Sequence, residues 1–174
     1  MGYALLGVLV SGSEGGSAVL VYLAAYTLMN MGAFACVAML SEREDRPHFI
    51  SDLRGQGYHR PVAALALTTC LFSLAGVPPF LGFSAKFMIF RAAVNEGFLW
   101  LAVIGVVNSL VSVYYYLRVI YALYMQPLPR REPEFQPSFQ LSAAAAVAAL
   151  GVLLLGIYPA WLISAADSAI LALV

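Results

Sequence analysis

The stretch LAGVPPFLGFSAKF, residues 74–87, decides the fold of this chain. It lies inside an apolar run over about residues 61–94. That run is too long for one straight membrane-spanning helix, which needs roughly 20 residues. Pro78 and Pro79 remove two consecutive backbone donors, and their rings clash with the preceding helical turn. The run is therefore predicted to contain a break.

We predict a discontinuous helix at this point. Its first half covers about residues 61–75, and its second half covers about residues 84–94. Unwound backbone at membrane depth is tolerated only beside other protein or a cavity, and such breaks recur in transporters. The predicted unwound joint contains Gly76, Pro78, Pro79 and Gly82.

The composition places the whole chain in a membrane. Of its 174 residues, 62% are hydrophobic and only 10% are charged, whereas soluble domains are about 25% charged. The mean hydropathy is +0.86. The formal net charge is zero, which argues against a nucleic-acid partner. We predict an all-α, polytopic transmembrane helix bundle whose surroundings are the lipid bilayer.

Further apolar runs supply the other predicted helices of this single transmembrane unit. The segment at residues 1–10 would form about 15 Å of helix, half a bilayer. We interpret it as part of a helix that continues upstream, with a short interfacial segment as the alternative. The three full spans are predicted over about residues 17–40, 98–125 and 141–165.

The arginines predict the orientation. Loops 41–60 and 126–140 contain arginines, whereas loops 11–16 and 95–97 contain neither Lys nor Arg. Four crossings place the two basic loops on one side of the membrane. Because Lys and Arg accumulate on the cytoplasmic side, both basic loops are predicted to be cytoplasmic and the C-terminus non-cytoplasmic.

Lys86 is the only lysine of the chain. A charge at the centre of a membrane helix costs about 2.5–3.5 kcal/mol on insertion scales, so such residues usually serve a function. Snorkelling to an interface is the alternative. Ser84 is predicted to cap the second half-helix. Lys86 would then lie in its first turn, where burial and the positive helix end both disfavour the ammonium form. We therefore predict a proton relay at Lys86.

Polar residues on neighbouring helices predict a hydrated path to Lys86. Asn108, Ser112 and Tyr115 share one helical face, with Ser109 and Tyr116 adjacent to it. Taken singly, such residues often bond their own helix backbone or assist helix packing. The proposed path comprises Tyr26, Asn30, Ser84, Asn108, Ser112 and Tyr115.

The sequence contains no motif for a cofactor or metal. There is no nucleotide fingerprint, no CxxC and no haem motif. His48 and His59 are weak evidence for a metal, and solvated loop residues are the better interpretation. Cys36 and Cys70 lie in apolar runs, where buried thiols are favoured and a disulfide is left open.

The segment 74–87 resembles the broken-helix motif shared by the antiporter-like subunits of respiratory complex I and the multisubunit sodium/proton antiporters. Three further segments resemble the subunit N (ND-two) family in particular: MGY at residues 1–3, YTLMNMGAF at 26–34 and YYYLRV at 114–119. Lys86 followed by Phe87 also favours subunit N, because M-type siblings typically have glutamate there and L-type siblings have lysine followed by an acid.

This resemblance implies a fold and a function. Such subunits have about fourteen membrane helices, and this chain would match the end of helix ten and helices eleven to fourteen. Lys86 would match the ionisable residue of the second broken helix. The family's other key residues, a glutamate and two lysines on earlier helices, have no counterpart here.

The resemblance also implies partners. The chain would belong to an NADH–quinone oxidoreductase of a bacterial inner membrane, beside the other membrane subunits of complex I. NADH, FMN, iron–sulfur clusters and quinone would be bound by other subunits, and electron transfer there would drive protons through this one. Two alternatives stay open: a cation/proton antiporter subunit without redox partners, and a structural scaffold.

Overall fold

The computed structural model describes residues 2–10, 13–40, 50–127 and 139–172. These ranges contain no strand, so the predicted all-α class is confirmed. A short 3-10 turn covers Ile50–Leu53. The α-helices are α1 (Gly2–Leu9), α2 (Ser13–Leu40), α3 (Gln56–His59), α4 (Pro61–Ala75), α5 (Leu81–Asn95), α6 (Leu99–Met125), α7 (Phe139–Ile157) and α8 (Ala160–Leu171).

Three segments are long and apolar enough to cross a membrane: Glu14–Leu40, Leu99–Met125 and Phe139–Ile157. Two more apolar helices, Pro61–Ala75 and Ala160–Leu171, are shorter. The described chain is therefore a polytopic membrane helix bundle, as the composition predicts.

Helix α2 is the centre of the bundle, in contact with α1, α4, α5, α7 and α8. Small residues permit this close packing, as is common between membrane helices. A Cβ atom at Gly32 would lie only 2.6 Å from the Ala148 Cβ and 2.8 Å from the Cys70 Sγ. Cys36 and Cys70 are buried free thiols, so the disulfide left open by the sequence is not formed.

The chain is not helical between α4 and α5. Gly76 ends α4 in the left-handed conformation, with φ 88°, and its N–H bonds the carbonyls of Phe72 and Ser73. The chain becomes helical again at Leu81. The interruption coincides with the two prolines, which are joined by a cis peptide bond. A Cβ atom at Gly82 would overlap the carbonyl oxygen of Ser73, so glycine is needed where α5 starts against α4.

The start of α5 corrects the predicted cap. Ser84 is not the N-cap, because α5 begins at Leu81 and its N-cap position is Phe80, which makes no side-chain cap bond. A residue of the other helix supplies the missing acceptor, since the N–H of Gly82 donates to the Ser73 Oγ over 2.9 Å. The orphan amides of a helix N-terminus need acceptors, and a distant hydroxyl can provide one.

Two other helix boundaries differ from the predictions. The loop predicted at 11–16 is helical from Ser13 onward. Its Gly15 packs closely against the preceding segment, since a Cβ there would overlap the Val10 carbonyl oxygen. The span predicted over 141–165 divides at Pro159 into α7 and α8, because proline cannot donate the next helical bond. Of the two basic loops, residues 41–49 and 128–138 lie outside the described residues. The described part of the first, predicted as loop, contains the 3-10 turn at Ile50–Leu53 and α3.

Candidate functional site

Lys86 is buried inside the bundle, with 8% of its surface exposed. Its side chain turns toward the end of α4, where Nζ donates to the carbonyl oxygens of Leu74 at 2.9 Å and Ala75 at 3.3 Å. The last carbonyls of a helix have no partner within it. The lysine and the end of α4 therefore satisfy each other's hydrogen-bonding requirements.

This position corrects the predicted electrostatics of Lys86. The sequence placed the lysine in the first turn of the second half-helix, at a positive helix end. It is instead the sixth residue of α5, which begins at Leu81, and its Nζ contacts the last carbonyls of α4. A helix C-terminus carries partial negative charge, so this helix end attracts the ammonium group.

Two further residues contact the ammonium group directly. The Ser109 Oγ on α6 lies 2.8 Å from Nζ, and the ring centre of Tyr3 on α1 lies 5.3 Å from it, within cation–π range. In the sequence, Ser109 is only a neighbour of the polar face of α6, and Tyr3 is only part of the segment MGY. No sequence signal shows that either one faces the end of α4.

Gly76 both caps the end of α4 and lies against the Lys86 side chain. A Cβ atom there would lie 3.3 Å from the Lys86 Cδ and 3.4 Å from Nζ. The lysine side chain thus passes directly over the glycine. The positive φ of 88° and this close approach both select glycine at the position.

A cavity of about 390 Å³ adjoins Lys86, between α1, α2, α5 and α6. Four of the predicted path residues line it, namely Tyr26, Asn108, Ser112 and Tyr115. The remaining lining comprises Tyr3, Tyr22, Met29, Leu74, Lys86, Val111 and Tyr116. Polar side chains in this number and a volume of this size can accommodate several water molecules.

Two predicted path residues do not line this cavity. Asn30 donates to the carbonyl of Tyr26 over 2.7 Å, within its own helix, as the alternative interpretation of such residues expects. Ser84 lies on α5 but is absent from the lining. Ser112 lines the cavity and also bonds its own helix, because its hydroxyl donates to the Ser109 carbonyl over 2.6 Å.

Lys86 also lines a second cavity, of about 450 Å³. Apart from Lys86 and Ser109, its lining residues are apolar or glycine. These residues are Ala75, Gly76, Val77, Pro78, Phe83, Phe87, Phe90, Val106, Leu110 and Val113. Lys86 therefore lines both a polar cavity and an apolar one.

Comparison with known proteins assigns the chain to a family. Residues 1–112, about two thirds of the chain, match the family model described as "NADH:quinone oxidoreductase/Mrp antiporter, TM". The chain belongs to this family. The matched region includes α1 to α5 and the part of α6 that carries Ser109.

Curated relatives confirm the resemblance to subunit N. The chain is 41% identical over 169 residues to NADH-quinone oxidoreductase subunit N of Trichlorobacter lovleyi, covering 97% of this chain and 35% of that protein. It is 48% identical over 161 residues to subunit N 1 of Herpetosiphon aurantiacus, covering 91% and 32%. The chain thus spans about a third of the length of these relatives, which is consistent with the predicted C-terminal portion.

Two solved structures have the same fold. Respiratory complex I from Thermus thermophilus, solved with aureothin bound, aligns with a TM-score of 0.78 at 30% identity, covering 94% of this chain and 36% of that chain. The Mrp complex from a Dietzia species aligns with a TM-score of 0.83 at 23% identity, covering 97% and 40%. The second likeness concerns the fold alone.

Proposed function

We propose that this chain is part of a proton-translocating membrane subunit of an NADH–quinone oxidoreductase, and that Lys86 is its proton-relay residue. The observation that carries the proposal is a single buried lysine whose Nζ donates to the last carbonyls of α4. The same lysine lines a polar cavity. This arrangement offers both an anchor for the charge and a route for its proton.

The geometry supports a relay in physical terms. An ammonium in an apolar span needs an acceptor for each of its three N–H groups. Leu74, Ala75 and Ser109 provide three. A lysine satisfied in this way can remain charged inside the membrane, and water in the adjoining cavity can carry a proton to it or away from it.

We further propose that α4 and α5 are the two halves of one discontinuous membrane helix. Each has 15 residues, or about 22 Å of helix at 1.5 Å per residue, which is short of a hydrocarbon core of about 30 Å. Transporters use such breaks to offer backbone carbonyls to a cation at mid-membrane. The contacts of Lys86 with Leu74 and Ala75 are of this kind.

The redox-linked assignment rests on the relatives, which are named as subunits of NADH-quinone oxidoreductase. NADH, FMN, iron–sulfur clusters and quinone would be bound by other subunits of the complex. This chain would contact other membrane subunits and lipid in a bacterial inner membrane. The basic loops would face the cytoplasm and the C-terminus the opposite side, as the arginine distribution predicts.

The proposal is tested in sealed native membranes by measuring protons pumped per NADH oxidised, for the parent complex and its Lys86→Ala variant. NADH oxidation with an artificial acceptor reports assembly. Arg91→Ala is the control, because Arg91 is a cation on the same helix that lines neither cavity beside Lys86. We expect pumping to fall in Lys86→Ala alone, with assembly intact in both variants.

The same membranes separate the alternatives. Normal pumping and normal NADH–quinone activity in Lys86→Ala would show that the lysine is structural and would overturn the proposal. A cation/proton antiporter subunit would instead exchange protons for sodium across these membranes without NADH. Loss of that exchange in Lys86→Ala, with no effect on NADH-driven pumping, would favour the antiporter reading.

A further inference from the structure

Ser109 makes a contact with Lys86 that differs in kind from the other two hydrogen bonds. Two of the Nζ partners are backbone carbonyls of α4, which can only accept. The third is the Ser109 hydroxyl on α6, at 2.8 Å. Within the described ranges, no other side-chain hydroxyl is hydrogen-bonded to Nζ. A hydroxyl has one donor and two acceptor sites, and its proton can rotate to suit.

The orientation of that hydroxyl follows from the charge on the lysine. An ammonium group is a donor only, so the Ser109 Oγ must accept from it. The hydroxyl proton is then left for the Ala75 carbonyl, which lies 3.4 Å from Oγ, or for the phenol oxygen of Tyr3, another hydrogen-bond partner of Ser109. In this state all three N–H groups of Lys86 have an acceptor.

When Lys86 loses a proton, one of the three positions around Nζ needs a hydrogen-bond donor instead of an acceptor. A neutral amine keeps two N–H groups, which the carbonyls of Leu74 and Ala75 can accept, and gains one lone pair. Neither carbonyl can donate to that lone pair, whereas the Ser109 hydroxyl can, by rotating its proton from Ala75 to Nζ. A buried polar atom left without a partner costs free energy, and rotation of this hydroxyl avoids that cost.

We propose that Ser109 is a positioning residue for the relay, a two-way partner that keeps Nζ hydrogen-bonded in both its charged and its neutral form. This inference rests on the proposed function, because it matters only where Lys86 exchanges a proton. Ser109 also ties Lys86 to α6, the helix that carries Asn108, Ser112 and Tyr115 at the polar cavity. The amine is thereby held between α4 and α6 in both protonation states.

The test compares two isosteric variants of the parent complex, Ser109→Thr and Ser109→Val. Both side chains are β-branched and of nearly equal size, and only threonine retains the hydroxyl. If Ser109 only filled space, the two variants would therefore pump equally. We expect Ser109→Thr to pump at close to the parental rate. Ser109→Val should pump about tenfold more slowly, since Nζ then lacks its third hydrogen-bond partner in both protonation states.

Assembly is checked by NADH oxidation with an artificial acceptor, and Ser109→Ala repeats the comparison with a smaller side chain. Ser164→Ala controls for loss of a hydroxyl elsewhere, because that hydroxyl only bonds the Trp161 carbonyl of its own helix, at 2.9 Å. If the Thr and Val variants pump equally while the Lys86→Ala variant fails to pump, the role of Ser109 is overturned and the proposed function stands. Normal pumping by Lys86→Ala would overturn both.

Discussion

The ammonium nitrogen of Lys86 lies 2.9 Å from the carbonyl oxygen of Leu74, twelve residues earlier in the chain. This contact joins α5 to the last turn of α4 across the interruption. A helix end that lacks partners and a buried charge that needs acceptors are each unfavourable alone. Placed together they stabilise each other, and this pairing motivates the predictions that follow.

Gly76→Ala should impair proton pumping more than assembly. Alanine in the left-handed conformation costs about 1–2 kcal/mol, and its Cβ would lie 3.3 Å from the Lys86 Cδ, so the lysine must move. Gly97→Ala is a matched control, because Gly97 has φ +83 but nothing within 4 Å of its Cβ position. Pumping per assembled complex should fall in Gly76→Ala and stay normal in Gly97→Ala. Equal values would show that the lysine tolerates the added methyl group.

Gly82→Ala should prevent stable assembly. Its Cβ would overlap the carbonyl oxygen of Ser73, which belongs to the backbone of α4 and cannot rotate away. The start of α5 would then separate from α4 and lose the bond from the Gly82 N–H to the Ser73 Oγ. The amount of complex in membranes, read from artificial-acceptor NADH oxidation, should drop severely. Gly2→Ala, which meets nothing within 4 Å, should assemble normally, and a similar loss in that variant would contradict the steric explanation.

Tyr3→Leu should lower the pumping rate severalfold, whereas Tyr3→Phe should not. The ring of Tyr3 lies 5.3 Å from the Lys86 Nζ, and a cation–π contact contributes about 0.5–2 kcal/mol. Phenylalanine keeps the aromatic face and leucine removes it. Pumping by sealed membranes at matched levels of complex is the measurement. If the Phe variant were as slow as the Leu variant, the phenolic hydroxyl would be the group that matters.

Asn108→Leu should slow pumping, whereas Asn30→Leu should leave it near the parental rate. Asn108 lines the polar cavity beside Lys86, so leucine would occupy space and remove hydrogen-bonding groups that hold water. Asn30 was predicted in the same path but bonds its own helix backbone instead. Initial rates of NADH-driven proton uptake in sealed vesicles distinguish the two. Slow proton pumping by an Asn30→Leu variant that assembles normally would show that Asn30 belongs to the hydrated path.

From the residues alone, the all-α membrane class is predicted and is confirmed, whereas the discontinuous helix and the relay role of Lys86 stay predictions. Apolar runs near the thickness of a bilayer leave few options except helices, because lipid offers no hydrogen bonds to the backbone. Two adjacent prolines interrupt a helix when they fall in its interior. A solitary lysine among apolar residues is visible without any structure. These are local properties, and each follows from the residues within one helix.

Only the tertiary structure decided which groups meet Lys86. The spacing of Asn108, Ser112 and Tyr115 identifies one face of α6, but spacing within a helix does not show which neighbouring helix that face contacts. Ser109, Tyr3 and the carbonyls of Leu74 and Ala75 come from three other elements. The same reason explains the error at Ser84, since the acceptor for the start of α5 is the hydroxyl of Ser73 on another helix. Contacts between helices depend on how the whole bundle packs, and that packing is not encoded in the pattern of any single segment.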